Sequence, residues 1–183
     1  MMKMLFFFMG VPLMIMSFFQ VQDVLPYANQ IEIISDGNTI SLSQEDQSAL
    51  LQEVADLFQD SHTVPAFGVV FDDMYQQEIQ SGDFVSIKFP QIYEINGLPF
   101  DQLVFKVEKD WQGFNLMRGE NGHFQGRCIY VDLMDKNMQN LAEKVDILSK
   151  EYAEELKVEG EKLAENGEQF QTSQDLQNQQ KFL

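Results

Sequence analysis

A chain of 183 residues is long enough for one domain with tails and too short for two full-sized enzyme domains. Its 12 Lys and Arg against 29 Asp and Glu leave a formal charge of -17, a field that repels nucleic acid. One cysteine and two histidines exclude an intramolecular disulfide and any zinc site of three or four such ligands, while 44% hydrophobic content, with 16 Phe and 10 Met, excludes global disorder.

From Met4 to Phe19 the chain reads MLFFFMGVPLMIMSFF, 16 residues interrupted only by Ser17 and preceded by Lys3. Stretched to Val21 at about 1.5 Å per helical residue, the run falls slightly short of the roughly 30 Å of bilayer hydrocarbon. An uncleaved anchor and a cleaved signal peptide both fit, with an amphipathic or buried helix as a third reading. Signal peptidase needs small residues at the third and first positions before its cut. The following QVQDVLPYANQ offers only Ala28 with Pro26 two before it, which favours the anchor. After Lys3 the next basic residue is Lys88, whereas Asp23, Glu32, Asp36, Glu45 and Asp46 follow the apolar run. By the positive-inside rule Lys3 stays in the cytoplasm and the remainder is extracytoplasmic, membrane-anchored or secreted.

Gln30 to Ser43 reads as a hairpin, with IEII and TISL joined through Ser35, Asp36, Gly37 and Asn38. Ser43 then caps a helix whose Leu50, Leu51, Val54, Leu57 and Phe58 recur at spacings of three and four. Ser61 to Pro65 breaks that helix and AFGVVF, Ala66 to Phe71, is a short apolar strand. Asp72 is expected to N-cap a two-turn helix through Gln80, ended by Ser81 and Gly82.

In FVSIKF and LVFKVE the odd positions, Val85, Ile87, Phe89, Leu103, Phe105 and Val107, are all apolar and should share one sheet face. A plain turn at Asn96-Gly97 would pair odd residues with even ones, so the register must shift, and Pro90 and Pro99 are the expected places because proline cannot donate to a ladder. The next hairpin turns at Asn121-Gly122, which sets Phe114 opposite Ile129 and Leu116 opposite Arg127. Phe114, Leu116, Ile129, Val131 and Leu133 then face inwards, with Asn115, Met117, Cys128 and Tyr130 on the other side. From Asp135 the period becomes helical through Met138, Leu141, Val145, Leu148 and Tyr152, a stripe able to pack on the sheet or pair with another helix.

These elements predict an α+β fold: an antiparallel β-sheet with helices packed mainly on one face, plus an N-terminal hydrophobic helix and a C-terminal helix. Residues 1–22 form the signal peptide or anchor and 27–152 the globular domain. Residues 153–183 form a weak helical extension and a tail expected to be disordered, with eight Asn or Gln among the last eighteen residues.

No catalytic residue emerges from the pattern. His123 and Cys128 lie five apart on one expected strand, an odd separation that sends them to opposite faces and denies the thiol a base. The acidic residues read as solvated or capping, the Asp36, Asn38 and Glu45 group has Ile40 where a calcium ligand belongs, and no phosphate loop or metalloprotease helix occurs. Neither a metal nor a cofactor is expected. The distinctive stretch is Asp110 to Leu133, which holds the only Trp and both Arg residues. Trp111, Arg118, His123, Arg127 and Tyr130 are the candidate ligand-binding residues, a positive, aromatic-edged patch for a carboxylate, an acidic peptide or a protein partner. Against this stands the plainer reading that each Arg pairs with a nearby acid.

Asn96, Gly97, Phe100 and Leu103, then Gly113, Phe114 and Asn115, then Gly126, Arg127 and Cys128 form an NG-x-x-F-x-x-L strand followed by a GFN hairpin ending in GRC-aromatic. In these motifs the chain resembles small exported proteins of unknown function from Gram-positive bacteria over residues 66–140; the resemblance implies export and brings no activity. The expected function is an exported, membrane-tethered, non-enzymatic binding domain. A small envelope hydrolase or transferase is one alternative, and a structural protein oligomerising through its C-terminal helix is another. A reporter fused to the carboxy terminus should be active only where it folds outside the cytoplasm; activity of a cytoplasm-only reporter would refute the orientation.

Overall fold

Asp36-Gly37, Asn96-Gly97 and Asn121-Gly122 each hold two successive positive φ angles, 45° and 79°, 53° and 77°, 53° and 82°. This is the type I′ geometry, whose twist matches that of the strands it joins. In the computed structural model, which describes residues 20–158, the three dipeptides close three hairpins. The apolar run 4–19 and the tail beyond residue 158 lie outside the described residues.

Seven strands, β1 (Gln30–Ser35), β2 (Asn38–Ile40), β3 (His62–Phe71), β4 (Asp83–Ile95), β5 (Leu98–Lys106), β6 (Gly113–Glu120) and β7 (His123–Asp132), form one antiparallel sheet in the order β2-β1-β4-β5-β6-β7-β3. The helices are α1 (Val21–Val24), continued by a 3-10 turn at Leu25–Tyr27, α2 (Gln44–Phe58), α3 (Asp72–Glu78) and α4, residues 139–158. The fold class is α+β.

Register carries the architecture. Near its turn the β4–β5 hairpin pairs Ile95 with Leu98 and Tyr93 with Phe100, but further on Ile87 pairs with Leu103 and Val85 with Phe105. The shift is three positions, an odd number, so odd residues come to face odd residues and both apolar sets enter one core. It falls between Lys88 and Tyr93, where Pro90 sits; Pro99 stays in the ladder opposite Glu94, contrary to the expectation that it too breaks the pairing. The β6–β7 hairpin begins in the expected register, with Glu120 opposite His123 and Gly119 opposite Phe124, then slips by two. Phe114 therefore faces Val131, and Leu116 faces Ile129 instead of Arg127. An even slip leaves the faces as read from the sequence.

One face of the sheet buries Ile33, Val85, Ile87, Leu103, Phe105, Phe114, Leu116, Ile129 and Val131. Leu50, Val54, Leu57 and Phe58 of α2 and Leu141, Val145 and Leu148 of α4 complete this core, so the C-terminal stripe packs within the domain. Val21, Val24 and Leu25 are buried in it as well, which extends the packed domain upstream of the expected start at residue 27. The opposite face holds a smaller cluster in which Tyr75 and Ile79, at α3 and its end, cover Ile34, Phe84, Val104, Met117, Phe124 and Cys128. The sheet curls enough for the β4–β5 tip to reach β3, where Asn96 Nδ2 donates to the Thr63 carbonyl over 3.4 Å.

Helices α2 and α4 are fastened at both ends. The Ser43 hydroxyl accepts from Asp46 N–H at 3.2 Å as the expected cap. Tyr152 donates to the Asp46 carboxylate at 3.0 Å and accepts from Ser43 N–H. The Ser43 and then the Tyr152 hydroxyl hold the Asp46 carboxyl below its ordinary range. At the other end Lys136 Nζ donates to the carbonyls of Asp56 and Gln59, 2.8 and 2.7 Å away. Val54, with none of its surface exposed, is the inner contact of this helix. Val54→Asp should cost about 3–5 kcal/mol, the scale of an uncompensated buried charge, read as a fall in the denaturant midpoint.

Candidate functional site: a cleft beside the β3 edge

α2 ends at Phe58, before the expected break at Ser61 to Pro65, and β3 begins at His62, so the strand starts four residues earlier than the Ala66 read from the sequence. The strand tolerates Pro65 because it lies at the edge of the sheet, where a missing N–H need not break a ladder on both sides. Pro65 pairs with Ile129 and Val69 with Arg127, so Ala66, Phe67 and Gly68 bulge outwards opposite the single residue Cys128. AFGVVF was expected as an ordinary apolar strand. In the bulge Phe67 instead stands clear of every neighbour at 101% exposure, and Val69 and Phe71 beyond it are also exposed.

Both arginines answer to these irregularities. Arg127 donates through Nε to the Ala66 carbonyl at 2.9 Å and through Nη2 to the Pro65 carbonyl at 3.4 Å. Arg118 lies over Gly126, where a Cβ would meet its guanidinium at 2.7 Å, and donates to the Arg127 carbonyl at 2.7 Å and the Pro99 carbonyl at 2.8 Å. Their partners are main-chain carbonyls rather than the nearby acids expected of a purely structural role.

Of the other three candidates, His123 lies apart from Tyr130 and Trp111. Tyr130 covers Gly113, where any Cβ would collide with the phenol. Trp111, exposed, sits in the β5–β6 connection at the same end of the hairpin. His123 is at the far end, seven residues from Tyr130 along β7, which at about 3.3 Å per residue is roughly 23 Å away. Its Nδ1 lies 3.1 Å from the Asp72 carboxylate, which also accepts from Phe124 N–H at 2.6 Å. These contacts, the main-chain one first, hold the Asp72 carboxyl below its ordinary range. Asp72 thus fastens α3 to β7 and does not N-cap its own helix, a position taken by Phe71. The five residues do not make one patch.

What gathers instead is an open cleft of ≈ 240 Å³ on the smaller-core face of the sheet. Val70, Phe84, Met117 and Cys128 are its buried lining residues, Val69, Met74 and Trp111 its exposed apolar ones, and Lys106, Glu78 and Asn115 add polar groups. Lys106 is already bound to Glu108 at 2.8 Å. Of the sequence candidates only Trp111 lines the cleft; Phe67, Val69, Phe71 and Met74 were missed. The available signal was Phe67-Gly68 two residues after a proline, a poor composition for a central strand.

The cleft has little means of covalent chemistry. Burial pushes the Cys128 thiol up, outweighing the opposing effect of Arg118, so the nucleophilic thiolate is scarce at neutral pH. Among the described residues no three His, Cys, Asp or Glu side chains converge as a metal site. No protein-family model, no curated protein and no solved structure matches the chain.

If the guanidinium groups complete the bulges, Arg118→Leu and Arg127→Leu should each lower stability by about 1–2 kcal/mol, the scale of lost hydrogen bonds from a charged donor. Chemical denaturation checks this; unchanged midpoints in both variants would show that water serves the carbonyls equally well.

Proposed function

We propose that the chain is an exported domain, held at the membrane by the apolar run 4–19, that binds a protein partner along the β3 edge and its cleft and performs no chemistry of its own. The observation that carries this reading is Phe67, fully exposed on a bulged edge strand next to a cleft edged by Met74 and Trp111. Removing one such side chain from water is worth roughly 2–3 kcal/mol, a gain left unclaimed in the isolated domain. Phe, Met and Trp are also the side chains that dominate well-packed interfaces. An edge strand offers main-chain groups to an incoming extended segment as well, so strand addition with apolar side chains docking at Phe67 and the cleft suits this geometry. Both arginines serve the main chain, so apolar contact rather than capture of an anionic peptide is the principal term. The chain's -17 charge favours a neutral or basic segment.

Export is supported by the one-sided charge around the apolar run and by the resemblance in the GFN and GRC motifs. A cut after Ala28 would remove Val21, Val24 and Leu25 from the core, which favours an uncleaved anchor. Among the described residues no helix is long and apolar enough to cross a membrane; the proposed anchor is the apolar run 4–19, which lies outside them. Neither alternative gains a specific observation. A hydrolase needs a nucleophile touching a base, and His123 is exposed at the turn end of β7 while Cys128 is buried in the smaller core. Oligomerisation through α4 would need the stripe that already packs on the sheet.

A photo-crosslinking residue placed at Phe67 in the full chain, in intact cells, should give a discrete adduct with another protein. The same probe at Ile147, exposed on the outer side of α4, should not. Equal labelling at both positions, or none at Phe67, Val69 and Phe71, would refute the β3 edge as a binding surface.

A further inference from the structure

The first residue after the apolar run is already part of the folded domain. The Gln20 side-chain carbonyl accepts from Thr63 N–H at 3.0 Å and from the Thr63 hydroxyl, and Gln20 N–H donates to the Asp23 carboxylate at 2.8 Å. Next to it, Val21 is wholly buried and the Gln22 side chain accepts from Asp60 N–H at 3.2 Å. Each extended residue of a linker would add about 3.3–3.6 Å of reach, and between Phe19 and Gln20 there is no linker. A domain joined in this way cannot stand off from the bilayer.

We infer that the end of the domain formed by α1, its 3-10 turn and the β4 bulge rests in the headgroup layer of the membrane, with Tyr27 and Ile92 as its lipid contacts. This rests on reading residues 4–19 as an anchor. Tyr27 is 58% exposed and stacks on Tyr93 with ring centres 5.7 Å apart, while Ile92, in the same bulge, is 46% exposed. A tyrosine pair with an apolar body and hydroxyl tips suits the boundary between acyl chains and headgroups. Alongside, Leu25, Pro26, Leu51 and Ala55 line an open hollow of ≈ 340 Å³ between the 3-10 turn and α2, a second apolar surface at the same end. The headgroup layer is only about 5–7 Å deep on each side of the hydrocarbon, so the contact is shallow.

The charges select the kind of lipid surface. Residues 20–27 and 90–97 contain no Lys or Arg, and their charged members are Asp23 and Glu94. Lys88, at the start of the β4 bulge, is already paired with Glu32 at 2.8 Å. Little attraction to anionic lipid is left at this end, and the contact is apolar and aromatic, suited to a zwitterionic surface.

The test uses the full chain reconstituted in phosphatidylcholine vesicles, with an environment-sensitive fluorophore on Tyr27→Cys, Ile92→Cys or Met74→Cys. Wild-type protein is labelled in parallel to subtract any reaction of Cys128. Met74 is exposed on α3, against the opposite face of the sheet, and serves as the control. The expected result is flotation with the vesicles, blue-shifted emission quenched by headgroup-labelled lipid at positions 27 and 92, and aqueous emission at position 74. Adding phosphatidylglycerol should not increase the shift. Flotation with aqueous emission at both 27 and 92 would overturn the docking while leaving the anchor intact. Failure to float would overturn the anchor and the docking together.

Discussion

Where β6, β7 and β3 slip out of register, main-chain carbonyls lose their neighbours in the ladder, and each one shielded from water without a partner costs about 1–3 kcal/mol. The Arg127 carbonyl on β7 and the Pro65 and Ala66 carbonyls on β3 are in this position, and the Pro99 carbonyl on β5 is taken up as well. Two guanidinium groups serve all four. A planar fork can bridge carbonyls that no longer lie at ladder spacing, which a lysine, as a point donor, does less well. The bulges allow β3 to join the edge of the sheet, and through β3 come the Gln20 contact, the projection of Phe67 and one wall of the cleft.

The two halves of the sheet use irregularity differently. In β4–β5 an odd shift corrects the faces, so the long strand can serve the main core near its start and the curled corner near its tip. In β6–β7 an even shift leaves the faces alone and instead makes room above Gly126 for Arg118. The first slip is needed for burial; the second changes which side chain meets which neighbour.

Much of the scaffold was legible because its determinants are local. Paired Asp/Asn-Gly dipeptides specify their own turns, and Ser43 with the Leu50 to Phe58 stripe specifies a capped helix. The need for a break between the odd-numbered apolar sets of β4 and β5 could be deduced from parity alone, although its confinement to the Pro90 side could not. The candidate site was poorly legible. Whether AFGVVF becomes a buried or an edge strand depends on its place in the strand order, a long-range outcome that apolar composition does not encode. The arginines drew attention by their scarcity, but their partners are carbonyls created by register slips, invisible before the strands are paired. Val21 read as the last residue of a membrane segment and Val24 and Leu25 as a stretch ahead of the domain, and only the packed α2 and sheet reveal them as core.

Tyr152, in the second half of α4, and Lys136, just ahead of its start, hold opposite ends of α2, so the two helices are bound as one body. Unwinding of α4 back through Tyr152 would take two hydrogen bonds from the start of α2 in the same event, and a break at Lys136 would expose the α2 carbonyls. Amide exchange along these helices is therefore coupled: instead of two independent gradients of protection falling towards four ends, the pair should open as a single cooperative unit whose weakest point is the turn around Tyr152.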